Sequence, residues 1–223
     1  MCTIVYKLGG SLLSHADLFP RLRAVLKQSV LFASPRSGTE RIKPLIVVGG
    51  GPVADAVRDW HKVHRLGDEV AHDLALQSMS FNAGLVARLL PGARMVASRA
   101  EGNAAWSDGK VAVLASAEFV DAEERTTRDL LPRSWHVTSD SIAAYVARRW
   151  PAAAIVLLKS VELPEDCDLQ SAAKQGLVDP DFPSFARRAC SIGWVNLRGV
   201  NPQGVDPRCG EPSIRHWYTP ATE

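Results

Sequence analysis

Two short segments carry residue types suited to holding oxyanions: KLGGS at residues 7–11 and VGGGP at residues 48–52. Each closes a short apolar run and precedes a stretch with helical periodicity. Glycine bares backbone N–H groups, and a helix start adds the positive end of a dipole, so each turn is suited to a phosphate. At the carboxyl ends of neighbouring strands, two such turns would hold two phosphate groups facing each other, with the Lys7 ammonium between them. The plainer alternative is that each cluster is only a tight strand-to-helix turn. Two clusters together, one of them beside a lysine, favour phosphate binding.

Other arrangements compete for the same residues. The pattern GxxxxGK[ST] is absent, which excludes a Walker loop. Gly49, Gly51 and Ala54 fit GxGxxA, with Asp68 and Glu69 at the spacing of a dinucleotide site's ribose-binding acid. That acid should end the next strand, whereas here it opens a helix-patterned stretch. Asp140 lies in TSDS at the start of a predicted helix, where a carboxylate also suits the dipole. Asp68 and His72, four apart, share a helix face, either as a plain surface pair or as part of a pocket. Lys159 ends an apolar strand on the edge where ligands gather. Lys174 is a second cation in the later part of the chain, and also fits a solvated surface residue. His61 and His64 are three apart but lack an evident third ligand. Trp60, Trp135 and Trp150 read as packing groups at helix ends.

The elements that must position these residues alternate. Strands are expected over Thr3 to Leu8, LIVVGGG, ARMVA, VAVLA, AAAIVLLKS and SIGWVNL. Helices are expected from Leu18 to Phe32, from Pro52, from Asp68 to Leu90, over VTSDSIAAYVARRW with Thr138 or Ser139 as the cap, and over PSFARRA. SPRSGTERIKP reads as a loop, as does the tail, with an edge strand around Ile214 to Tyr218. This order predicts an α/β fold with a mainly parallel sheet covered on both faces, in one domain over residues 1–223.

Composition narrows the class. The chain has 223 residues, a formal charge of +2, 46% apolar and 22% charged residues. That charge argues against a dedicated nucleic-acid or membrane-surface protein. The four cysteines are scattered, with no CxxC, which fits reduced thiols in the cytoplasm. A signal peptide is not expected, because no basic region leads into a long apolar one.

KLGGSLL, IVVGGGPVADAVR, VTSDSIAAYVA and IVLLKSV together, in this order, resemble the amino acid kinase superfamily, the kinases of aspartate, acetylglutamate, carbamate and uridylate. The likeness runs from residue 3 to about residue 200. GDEVAHDLALQSM, WHVTSDSIAAYVA and GLVDPDFPSFA are further similar to small aspartokinase-like proteins that include the methanofuran-pathway kinase. The resemblance implies a three-layer α/β/α sandwich and phosphoryl transfer from ATP with Mg²⁺ held by the nucleotide's oxygens, not by protein ligands. It implies that Gly9, Gly10 and Ser11 contact ATP phosphate and that Gly49, Gly50 and Gly51 face the acceptor. Lys7 would stabilise the transferring group, Asp140 would organise the lysines, and Lys159 and Lys174 are candidates for the family's later phosphate-binding lysine. Asp68 and His72 would line the acceptor pocket, with the carboxylate holding an ammonium group. The acceptor would be a small phosphate or carboxylate, foremost [5-(aminomethyl)furan-3-yl]methyl phosphate, and the protein a homo-oligomer. Where related kinases carry a threonine–aspartate pair near the nucleotide, this chain has Lys159 and Ser160, and its tail lacks the usual closing helix. A nucleotide- or oxyanion-holding protein without strong catalysis, and a dinucleotide oxidoreductase, are the competing expectations.

Overall fold

The computed structural model describes residues 2–28, 42–199 and 214–219. The expected SPRSGTERIKP loop and the proline-rich tail, with Cys209, lie mostly outside them. Cys167 and Cys190 are free thiols. No helix among the described residues is long and apolar enough to cross a membrane.

Seven strands form one sheet: β1 (Cys2–Leu8), β2 (Ile42–Val48), β3 (Ala93–Val96), β4 (Val111–Leu114), β5 (Ala154–Lys159), β6 (Ser191–Asn196) and β7 (Arg215–Tyr218). Their order is β3-β4-β2-β1-β5-β6-β7. The pairings from β3 to β6 are parallel, and β7 joins antiparallel to β6. The central strands are almost continuously apolar because both faces of a parallel sheet are covered.

The pleat sorts each strand between two cores. Ile4, Tyr6, Leu8, Ile46, Val48, Val156 and Leu158 pack with Leu18, Leu22 and Val25 of α1 (Leu18–Gln28) and with Ala83 and Val86 of α3 (Asp68–Leu89). Val5, Leu45, Val47, Ile155 and Leu157 pack on the other face. There they meet α4 (Arg99–Ser107), α5 (Ser116–Glu124), α6 (Ser139–Arg149), α7 (Leu169–Lys174) and α8 (Phe182–Ala186). This is the α/β/α sandwich expected from the alternation. Among the helices, α4, α5 and α7 were not foreseen: they are short, and their small and polar residues blur the apolar period.

α6 is the most enclosed helix. Asp140 through Ala147 are all buried. Three alanines, Ala143, Ala144 and Ala147, let it lie close to the strands. That closeness brings the start of α6 over the ends of β1 and β5.

α2 (Gly51–His64) follows the second glycine cluster, with proline in its first turn as expected. It leads to α3 with no strand between, so Asp68 stands at the start of a helix and not at a strand end. That topology removes the basis of the dinucleotide reading.

Candidate active site

The pairing register sets the site. β1 lies between β2 and β5, with Leu8 opposite both Val48 and Leu158. The ladder runs on into the glycines: Gly49 N–H donates to the Leu8 carbonyl at 2.8 Å and Gly9 N–H to that of Leu158 at 3.0 Å. Beyond this point the two turns lie against each other. A Cβ on Gly10 would stand 2.2 Å from the amide nitrogen of Gly51, and one on Gly51 2.6 Å from the Gly10 carbonyl oxygen. Gly51 also has φ +49°, a left-handed conformation that favours glycine. No side chain caps the first turn of α2, so its amides stay available to a ligand.

The strand period puts Val5 and Lys7 of β1, and Leu157 and Lys159 of β5, on the α6 face. Asp140, in the first turn of α6, meets both cations. Its Oδ1 is 2.9 Å from Lys7 Nζ and its Oδ2 is 2.8 Å from Lys159 Nζ. Lys159 also donates to the Leu177 carbonyl at 2.7 Å. Lys7 and Asp140 are each 4% exposed. Burial alone would raise the Asp140 pKa, but the lysines outweigh it and hold the carboxyl at about 2. Burial pushes the Lys159 ammonium down to about 8, against the opposing pull of Asp140. With both lysines protonated, the trio carries one surplus positive charge in a dry setting. Such a surplus stabilises an incoming anion more strongly than the same charge in water.

A second carboxylate, Asp179, anchors the start of α6 from outside the helix. It accepts from the amide and hydroxyl of Thr138 (both 3.0 Å), from the Ser141 amide (2.9 Å) and from the Phe182 amide (2.9 Å). The Ser141 hydroxyl also donates to it. Thr138 does occupy the cap position, but its hydroxyl donates to Asp179 in place of capping the helix. Burial and the nearby Asp140 charge raise the Asp179 pKa.

Beside the glycine turns opens a cavity of about 390 Å³. Gly10, Ser11, Gly50, Gly51, Thr138 and Ser139 form its glycine-loop side, and α2 and α3 supply other walls with Arg58, His72, Leu76 and Met79. Trp135 also lines it, with the Arg58 guanidinium 4.7 Å from its ring centroid. The buried Asn82 amide donates to the Gly49 carbonyl (2.9 Å) and the Gly50 carbonyl (2.8 Å), fixing the second turn to α3.

The candidates read from sequence divide accordingly. Lys7, Asp140 and Lys159 form one cluster. Gly10, Ser11, Gly50, Gly51 and His72 line the cavity, while Gly9 and Gly49 hold the turns to the sheet. Asp68 does not line this cavity: its side chain is 68% exposed and lies 3.8 Å from His61 Nε2. The carboxylate that does line it is Asp55, paired with Arg58 at 2.7 Å. Lys174 is exposed near the end of α7. Of the three tryptophans, Trp150 packs against Phe119 and Trp106, Trp60 is exposed, and Trp135 is a cavity wall.

Asn82, Asp179 and Arg58 had no assigned role in the sequence, and Trp135 was read there only as a packing group. Asn82 did leave a trace, as a polar residue on the apolar stripe of Met79, Ala83 and Val86. Asp179 left another, three residues before Phe182 at the start of a short helix.

The model of the amino acid kinase family matches residues 3–163. The chain belongs to the amino acid kinase family. It is therefore a phosphotransferase that acts on a small molecule. No curated protein matches this kinase significantly in sequence. Among solved structures, UMP kinase from Ureaplasma parvum is similar at a TM-score of 0.62 and 15% identity, over 96% of this chain and 99% of that one. Uridylate kinase from Archaeoglobus fulgidus gives 0.57 and 17% identity, over 96% and 98%. UMP kinase from Bacillus anthracis gives 0.54 and 12%, over 96% and 95%. At these identities the likeness concerns the fold.

Proposed function

We propose that this kinase transfers the γ-phosphoryl group of ATP to a phosphate or carboxylate oxygen of a small acceptor seated in the 390 Å³ cavity. The observation that carries this reading is the contact between the two glycine turns, combined with the Lys7–Asp140–Lys159 cluster behind them. Phosphoryl transfer asks little covalent work of a protein; it needs alignment and neutralisation of charge. Gly9, Gly10 and Ser11 are assigned to the ATP phosphates, and Gly49, Gly50 and Gly51 to the acceptor. Lys7 and Lys159 offset the charge spread over the transferring group. Asp140 holds both ammonium groups on one point, which limits their movement as charge shifts.

In the step itself, the bond from the γ-phosphorus to the bridging oxygen breaks and ADP departs. A new bond forms from phosphorus to the acceptor oxygen. A phosphate or carboxylate acceptor arrives deprotonated, so no side chain need take a proton. Mg²⁺ would be held by the phosphate oxygens of the nucleotide and supply further charge neutralisation.

The foremost acceptor is [5-(aminomethyl)furan-3-yl]methyl phosphate, phosphorylated to its diphosphate. The likeness of the DEVAHDL, TSDSIAAYVA and GLVDPDF segments to the small aspartokinase-like proteins supports it. ADP release measured with this phosphate, with UMP and with aspartate tests the assignment. Release with the furan phosphate alone is the expected result. Turnover with UMP or aspartate instead overturns the choice of acceptor, and tight ATP binding without turnover on a wide acceptor panel overturns the kinase reading.

A further inference from the structure

The start of α6 touches each part of the site. Thr138 and Ser139 line the cavity. Ser139 also lies against the second glycine turn: a Cβ on Gly49 would stand 3.1 Å from its hydroxyl oxygen. Asp140, next in the chain, meets Lys7 and Lys159. A small tilt of this turn therefore moves the cavity wall and the carboxylate between the lysines together. The cap residue does not hold the turn, since the Thr138 side chain makes no capping bond.

The buried carboxylate of Asp179 holds it instead. Its Oδ2 accepts from the Thr138 and Ser141 amides, and so grips the backbone just before and just after Asp140. Its Oδ1 accepts from the Phe182 amide and from the Ser141 hydroxyl. Each oxygen faces an N–H fixed in the backbone, which is the setting of an ionised carboxylate. The far side of this contact is firm as well. Phe182 is fully buried, and its ring stacks on Trp217 of β7 with centroids 6.1 Å apart.

Two residues before Asp179, the Leu177 carbonyl accepts from Lys159. The segment 177–179 thus holds Lys159 with one residue and the helix carrying Asp140 with another. A single short piece of chain locates both members of the pair. Its charge acts there too. The charged groups around Lys159 are Asp140 from α6, Lys7 from β1 and Asp179 from the segment before α8. The two carboxylates favour the ammonium form, while burial and Lys7 oppose it.

We propose that Asp179 is a positioning residue for phosphoryl transfer: it fixes the first turn of α6 so that Asp140 stays between the two lysines while charge moves on the phosphoryl group. Its negative charge also helps to keep Lys159 protonated. This rests on the lysine cluster's being the place where transfer occurs.

Asp179→Asn tests the proposal. Asparagine has the same shape, keeps the bonds at one oxygen and removes the charge. In apo enzyme labelled with ¹³C-lysine, the Lys159 side-chain resonance, identified by its absence in Lys159→Arg, reports the pH at which that ammonium loses its proton. Asp179→Asn is expected to move this midpoint down by about half a pH unit or more, because a negative charge near the cation has gone. With [5-(aminomethyl)furan-3-yl]methyl phosphate as acceptor, kcat is expected to fall by about 10–100-fold, the size of a small misplacement, with the acceptor KM within about threefold. A folded Asp179→Asn enzyme with the wild-type midpoint overturns the proposal. So does one that loses melting temperature but keeps its kcat, the mark of a purely structural residue. Should Asp179→Asn not fold, Thr138→Val combined with Ser141→Ala keeps the carboxylate and its amide bonds and removes the two hydroxyl bonds. That enzyme is expected to lose about tenfold in kcat at an unmoved midpoint, and an unchanged kcat overturns the proposal. If wild type turns over no acceptor, the Lys159 midpoint still decides on Asp179, and the kinase reading falls separately.

Discussion

The lysine cluster and the cavity are neighbours with opposite characters. Around Asp140, both lysines contact one carboxylate, burial is nearly complete, and Asp179 gathers hydrogen bonds that fix the helix above. In the cavity wall, Asp55 and Arg58 are part exposed and His72 Nε2 is buried without a partner. In the first region the charges are paired with one another; in the second a cavity is open. Electrostatic stabilisation of transfer needs dipoles and charges that do not reorganise, which is the part we propose for the dry cluster. Recognition needs a recess that a ligand can fill, which is the part we propose for the cavity.

The sharpest way to break this contrast is at Lys7. Lys7→Ala removes one of the two cations facing transfer, while Lys159 still pairs with Asp140. We expect kcat to fall by about 10²–10³-fold, the size seen when one preorganised stabilising group is lost, with the acceptor KM little changed. Single-turnover rates and acceptor binding, measured separately, check this. A loss that falls mainly on acceptor affinity would merge the two regions into one.

A tenfold effect per pH unit is expected from Lys159. Its pKa, lowered to about 8, lies below that of an ordinary lysine, so the ammonium is lost as pH rises through that value. kcat/KM for ATP, which reports the free enzyme, should decline above about pH 8. Arginine stays charged throughout, so Lys159→Arg moves this decline to higher pH even if it lowers the plateau. A wild-type profile flat to pH 10 would mean that the cluster is not as dry as its geometry indicates.

The smallest expected effect is at Asp68. Asp68→Asn should leave kcat and both KM values within about twofold, since exposed pairs such as Asp68 with His61 contribute little. A tenfold rise in acceptor KM would return Asp68 to the acceptor site and blur the boundary that the cavity wall draws.

Much of the fold was legible because its signals are local. The apolar runs of β1, β2 and β5, the glycines that end two of them, and the long period of α3 are visible in short windows. So was the prominence of Lys7, since a cation at the end of an apolar strand stands out. Alternation of strand and helix was enough to imply a covered parallel sheet.

What those windows could not contain is distance across the fold. Lys7, Asp140 and Lys159 become one cluster because β1 and β5 are neighbours in register and α6 crosses above them. Asp179 caps a helix that starts forty residues earlier in the chain. Asp68 and His72 look like equals at i and i+4, yet the first is exposed and the second buried. Periodicity places two residues near one line of a helix, but packing of Trp135, α2 and α3 decides which of them meets the cavity. Sequence alone thus determined the main elements and the glycine turns at two strand ends, because backbone geometry and side-chain period are short-range. Tertiary structure alone decided which charges are shared and which are dry, because burial and pairing depend on residues far apart in the chain.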